Sequence, residues 1–121
     1  SNASVTARYY PGCLDDVKLV TARTRAFLEA RGGYLGQARE VSASAFLEKV
    51  VHCLGTLAAS PEGRQGAALG ALVQRVLDDA QVREELPFAR ASTRKKALVY
   101  GLLRWRLKWA LLGLLRLSER S

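Results

Sequence analysis

Histidine occurs once in this chain, at His52, methionine is absent, and cysteine is confined to Cys13 and Cys53. A single histidine with no supporting motif cannot furnish a Ser/His/Asp set. His52 sits in an apolar helical pattern between Val51 and Cys53 and reads as a packed or partly exposed core histidine. No Cys-x-x-Cys pair and no histidine at ligand spacing accompany the cysteines, which argues against zinc. Two ordinary thiols in a cytoplasmic helical protein are the default expectation, with a single disulfide left open. Aromatic residues make up only 7%, β-branched residues are sparse, and no stretch alternates with period two, so no strand is expected.

Other absences narrow the chemistry. Gly63, Gly66 and Gly70 lack the G-x-x-x-x-G-K-[ST] pattern and a preceding strand, so a phosphate loop is not supported. Asp15-Asp16 and Asp78-Asp79 are neighbours in helical segments, where adjacent side chains point about 100° apart. Neither pair makes a metal clamp, and both fit helix starts. No catalytic constellation, metal site or cofactor site is expected in this chain.

What is present is a 121-residue chain, 49% hydrophobic and 25% charged, rich in Ala, Leu, Arg and Glu. That is enough for one soluble helical domain and too little for two. Ser1-Asn2-Ala3 resembles the scar of an expression tag. Residues 4–121 are then expected to form a single helical domain; no initiator Met follows the scar, so either it was trimmed off or, the favoured reading, the domain is a piece cut from the C-terminal part of a longer protein.

The expected fold is all-α, a small bundle of four to five helices. The first runs from about Leu14 to Ala30, with Leu14, Val17, Val20, Phe27 and Leu28 as its buried stripe, and ends at Arg31-Gly32-Gly33. The second, from about Tyr34 to Ala58, carries Leu35, Ala38, Val41, Ala45, Phe46, Val50, Cys53, Leu54 and Leu57 at three- and four-residue steps. Ser60-Pro61-Glu62 reads as the start of a third helix reaching about Leu77 and packing Leu69, Leu72, Val73, Val76 and Leu77. Asp78-Asp79 starts a short fourth that carries Val82 and Leu86 and breaks at Pro87. Ser92 or Thr93 caps a long last helix over 94–118, of about 35 Å.

Charge is concentrated at that end. Residues 1–89 carry ten basic and ten acidic side chains, whereas residues 90–121 carry nine basic residues against Glu119 alone. The whole formal charge of +8 therefore lies in the last 32 residues, which points to an anionic partner. On a helical wheel Val99, Leu103, Leu107, Ala110, Leu114 and Leu117 form an uncharged stripe expected to face the bundle. Leu98, Leu102, Trp105, Trp109 and Leu112 form a second stripe, set among Arg94, Lys95, Arg104, Arg106, Lys108 and Arg116. Apolar residues with two tryptophans inside a basic field suit a helix lying in a membrane surface. The longest uncharged runs, 97–103 and 109–115, are seven residues each, against the roughly 20 that a span needs. The alternatives are an oligomerisation or protein-interaction face, a homodimer included. Nucleic acid is disfavoured, because the basic residues are threaded with Leu and Trp rather than set on a polar face.

Four stretches carry a family resemblance: Tyr9-Tyr10 with Cys13-Leu14-Asp15-Asp16, Phe46–Val51, Val76–Arg83, and Ser92–Leu98 continuing through Leu102–Leu107. Together they resemble the C-terminal helical region that follows the catalytic domain in many bacterial family 2 glycosyltransferases. The resemblance implies a non-catalytic accessory domain of an enzyme of surface polysaccharide biosynthesis. Such enzymes move a sugar from a nucleotide-sugar donor to a glycan or lipid-linked acceptor, using a divalent metal held by an Asp-x-Asp motif in an N-terminal Rossmann-like domain. This chain has no Asp-x-Asp, so donor and metal sites carry over to no residue here. The implied partners are the missing catalytic domain and the cytoplasmic face of the plasma membrane.

Overall fold

Helical periodicity and good end signals settle most of the chain. The computed structural model describes residues 12–33, 36–60 and 67–120, without the side chains of 116–120. The tag scar, Tyr9-Tyr10, Tyr34-Leu35, the Pro61-Glu62 helix start and the side chain of Arg116 lie outside the described residues. Six α-helices are described: α1 (Cys13–Ala30), α2 (Gln37–Ala59), α3 (Ala67–Asp78), α4 (Ala80–Glu85), α5 (Arg94–Arg104) and α6 (Lys108–Arg120). A 3₁₀ turn over Leu86–Phe88 joins α4 to the approach to α5. No strand occurs among the described residues. The all-α class holds, with six helices rather than four or five because the expected long terminal helix is two helices.

The short elements follow their local chemistry. Asp79 caps α4, its carboxylate accepting from the Val82 N–H at 3.1 Å, and Pro87 sits where the helix tightens into the 3₁₀ turn. Thr93 caps α5, its hydroxyl oxygen accepting from the Lys96 N–H at 3.1 Å.

The bundle is built around α2. Its face of Phe46, Leu47, Val50, Leu54 and Leu57 is fully buried and meets α1, α3, α4, α6 and the 3₁₀ turn. Leu69, Val73 and Val76 of α3, Val82 of α4, Val99 and Leu103 of α5, and Leu111 of α6 close the same core. Glu85 is wholly buried with its carboxylate 3.1 Å from the Arg25 guanidinium. That pairing is what allows a carboxylate inside.

Several expected core positions lie outside it. Val20 and Phe27 of α1 and Val41 of α2, at 61% exposure, face solvent, and Ala45 is exposed as well. Phe27 instead carries the Arg31 guanidinium 4.4 Å over its ring. His52 is exposed, not packed, because α2 turns Cys53 and Leu54 inward. The default reading of the cysteines as free thiols is also corrected. Cys13 at the start of α1 and Cys53 in α2 form a disulfide with Cα atoms 6.2 Å apart, a separation ordinary for such a bridge. It closes a loop of 40 residues, worth about 4 kcal/mol on the chain-entropy view.

Candidate functional site: the basic elbow between α5 and α6

The basic C-terminal end does not form one helix. Helix α5 stops at Arg104 and α6 starts at Lys108. The stop is a Schellman turn: the Arg106 N–H donates to the Leu103 carbonyl at 3.2 Å, and the Leu107 N–H to the Leu102 carbonyl at 2.9 Å. The turn requires a left-handed residue, and that residue is Arg106, with φ of 56°. Arginine pays a steric penalty there that glycine does not.

A tertiary contact holds the turn. The Arg83 guanidinium, from α4, donates to the carbonyls of Leu103 at 2.8 Å and Arg104 at 3.3 Å, and through Nε to the carbonyl of Leu77 at 2.8 Å. One side chain thus satisfies carbonyls at the ends of both α3 and α5, where helices leave them without intrahelical partners. Burial, and next the nearby Arg106 cation, lower the pKa of Arg83, while Asp78 opposes them. Asp78 also faces the Arg106 guanidinium at 3.4 Å.

The elbow presents an apolar and cationic tip. Trp105 is 74% exposed and Trp109 80%, and Leu107 between them is half exposed. The Lys108 ammonium lies 5.6 Å from the centroid of the Trp109 ring. Among the described residues Arg94, Lys95, Arg104 and Lys108 form no ion pair. Arg104, Arg106 and Lys108 therefore sit beside the two tryptophans, whereas Arg94, Lys95 and the exposed Leu98 lie up α5. At 1.5 Å per residue, Arg94 is about 16 Å from Trp105 along that helix.

The break redistributes the expected stripes. In α5 the assignment holds for Val99 and Leu103, which are buried, and for Leu98, which is exposed, but Leu102, expected on the contact stripe, is half-buried against the core. Past the turn it holds for Leu114, which packs against the core, and for the exposed Trp109, but not for the others described. Leu112, expected on the contact face, is buried in the core beside Leu111 and Leu115. Leu107 and Ala110, expected in the core, face solvent. A wheel drawn through residues 94–117 presupposes one continuous helix, and the turn at Arg106 resets the phase. Leu107 and the holding role of Arg83 are the parts of the site that the wheel missed. No local signal announces them, since neither Gly nor Pro marks the break.

A groove of about 510 Å³ lies elsewhere, between α1 and the first half of α2, lined by Val20, Leu28, Ala38, Val41 and Phe46 among others. Among the described residues no group of three or more His, Cys, Asp or Glu could hold a metal, and no helix is long and apolar enough to cross a membrane. No family model, curated protein or solved structure matches the chain.

Proposed function

We propose that this bundle is a docking domain that seats on an anionic membrane surface through the elbow of Trp105, Leu107 and Trp109. Arg104, Arg106 and Lys108, with Arg94 and Lys95 farther up α5, lie at or near lipid phosphates. The observation that carries the reading is the pair of tryptophans left 74% and 80% exposed beside Arg104 and Lys108, which form no ion pair among the described residues. A tryptophan buries 150–250 Å² when it finds an apolar setting, which at about 25 cal/mol per Å² amounts to several kcal/mol for two rings. Each basic residue near an anionic leaflet adds about 1 kcal/mol. The two contributions are of similar size, so neither a neutral bilayer nor a polar anion alone suffices.

The wider proposal follows the family resemblance. The bundle would be the non-catalytic C-terminal part of a bacterial family 2 glycosyltransferase, holding the enzyme at the cytoplasmic face near lipid-linked acceptors. The donor nucleotide-sugar and the divalent metal would belong to the catalytic domain. In that reducing setting the Cys13–Cys53 bridge would be open to reduction.

The test is co-sedimentation with vesicles of phosphatidylglycerol mixed with phosphatidylcholine, and of phosphatidylcholine alone, at low salt. The wild type should pellet with the anionic vesicles only, and Trp105→Ala/Trp109→Ala should remain in solution. If the wild type pellets with neither, the membrane reading fails. A concentration-dependent dimer in sedimentation, abolished by the same double substitution, would then assign the tryptophans to a subunit interface.

A further inference from the structure

Helix α1 lies along α2 but buries a smaller share of its residues than α2, α3, α4 or α5. Of its 18 residues only Cys13, Leu14 and Thr21 are buried, against eight buried residues in α2. Its large apolar side chains Leu19, Val20 and Phe27 face solvent, and only Leu14 enters the core, with Val17 packed at its edge. Its other ties include the ion pairs of Asp15 with Arg75, Lys18 with Asp79, and Arg25 with Glu84 and Glu85, and a hydrogen bond from the Gln81 amide to the Lys18 carbonyl at 3.2 Å. The Asp15–Arg75 pair is exposed on both sides, and pairs of that kind hold a helix weakly. The Glu85 carboxylate is buried, but lifting α1 away would return both Glu85 and Arg25 to water, recovering the hydration that the pairing replaces. The Cys13–Cys53 bridge is the one covalent tie, and it sits at the first residue of α1.

We propose that this disulfide is a redox-dependent strap: a dithiol reductant frees α1 from the bundle while α2 to α6 keep their fold. The reductant thiolate attacks Sγ of Cys13, the more exposed of the two residues at 8% against 1%. The Cys13–Cys53 bond breaks and the Cys53 sulfur leaves as a thiolate that takes up a proton. The second reductant thiolate then displaces Cys13, which is also protonated. Two electrons pass from the dithiol to the pair, and the reductant departs as its own disulfide. Release uncovers the side of α2 that α1 covers, and the Glu85 carboxylate. The remaining core, built from α2, α3, α4, α5 and α6, keeps all of its large side chains except Leu14.

Hydrogen exchange of the whole chain, with and without dithiothreitol, tests this. Peptides from α1 should exchange at least tenfold faster after reduction, while those from α3 and α5 stay within about twofold. Cys13→Ser should give the same pattern with no reductant. Unchanged protection of α1 in the reduced protein and in C13S would overturn the proposal. So would a parallel loss of protection in every helix, since the bridge would then hold the whole bundle rather than one helix.

Discussion

Helix α1 and helix α5 end in the same hydrogen-bond pattern, with different residues at the decisive position. After α1 the Gly32 N–H donates to the Glu29 carbonyl at 3.0 Å and the Gly33 N–H to the Leu28 carbonyl at 2.8 Å, with Gly32 at φ of 69°. After α5 the same two bonds form around Arg106 at φ of 56°. The first turn uses the residue that adopts this conformation at no steric cost. The second uses arginine, is held from outside by Arg83, and carries two exposed tryptophans. A turn that only redirects the chain is written in glycine. The turn at Arg106 keeps large side chains at the surface, and Arg83 holds it from a neighbouring helix.

That contrast can be broken at several points. The largest effect should follow removal of both rings: Trp105→Ala/Trp109→Ala should weaken binding to anionic vesicles by about a hundredfold, or roughly 2.7 kcal/mol. Thermal stability should barely change, because neither ring is in the core. Next, Arg83→Met should destabilise the bundle by about 2–3 kcal/mol in urea unfolding. It strips charged hydrogen bonds from three carbonyls. Among the described residues no side chain fills this role at the Gly32 turn, so no single substitution among them outside that turn should loosen it comparably.

Substitutions at the two left-handed positions should have opposite signs. Gly32→Ala should cost about 1 kcal/mol with vesicle binding unchanged. Arg106→Gly should stabilise by about 0.5 kcal/mol, the relieved strain exceeding the added chain entropy. It should also weaken vesicle binding about fivefold through the lost charge.

The smallest effect concerns the pairs that anchor the two helices leading into these turns. A hydrogen bond from Lys96, and then its charge, hold the Glu48 carboxyl below its ordinary pKa, and a hydrogen bond from Arg25 does the same for Glu84. A carboxylate whose pKa is depressed by folding adds stability above its unfolded pKa and loses it as pH falls through the folded one. Stability should therefore decline as pH drops below about 4.5. Lys96→Met should shallow that decline at α5, and Arg25→Met should do so at α1. Both carboxylates are well exposed, so the changes should be modest. Urea midpoints across the acid range would read them.

Most of the bundle was legible because its signals are local. Asp79 and Thr93 cap the helices they were expected to cap, Pro87 stops α4, and Gly32 closes α1. Phe46, Val50, Leu54 and Leu57 also follow the three- and four-residue steps that mark a buried face. What was not legible depends on contacts across the sequence. Residues 104–107 read Arg-Trp-Arg-Leu, with no Gly or Pro to break a helix, and the Arg83 guanidinium that donates to the α5 carbonyls there comes from 20 residues away in the sequence. The phase reset at Arg106 then exchanges Leu107 for Leu112 between surface and core. The pairing of Cys13 with Cys53 depends on how α1 lies on α2, which a spacing of 40 residues does not specify. Of the residues expected to make the contact, Arg94, Lys95, Leu98, Arg104, Trp105, Arg106 and Trp109 are exposed, while Lys108 and Leu102 are half-buried.

The chain holds two tryptophans, both at the elbow, so its tryptophan fluorescence reports on that site alone. The most direct measurement is emission with vesicles whose acyl chains carry bromine, in anionic and in neutral form. The account predicts a blue shift and strong quenching with the anionic vesicles and neither with the neutral ones. Emission that stays at its aqueous position, unquenched, while the protein sediments with anionic vesicles would contradict it, because some other surface would then be making the contact.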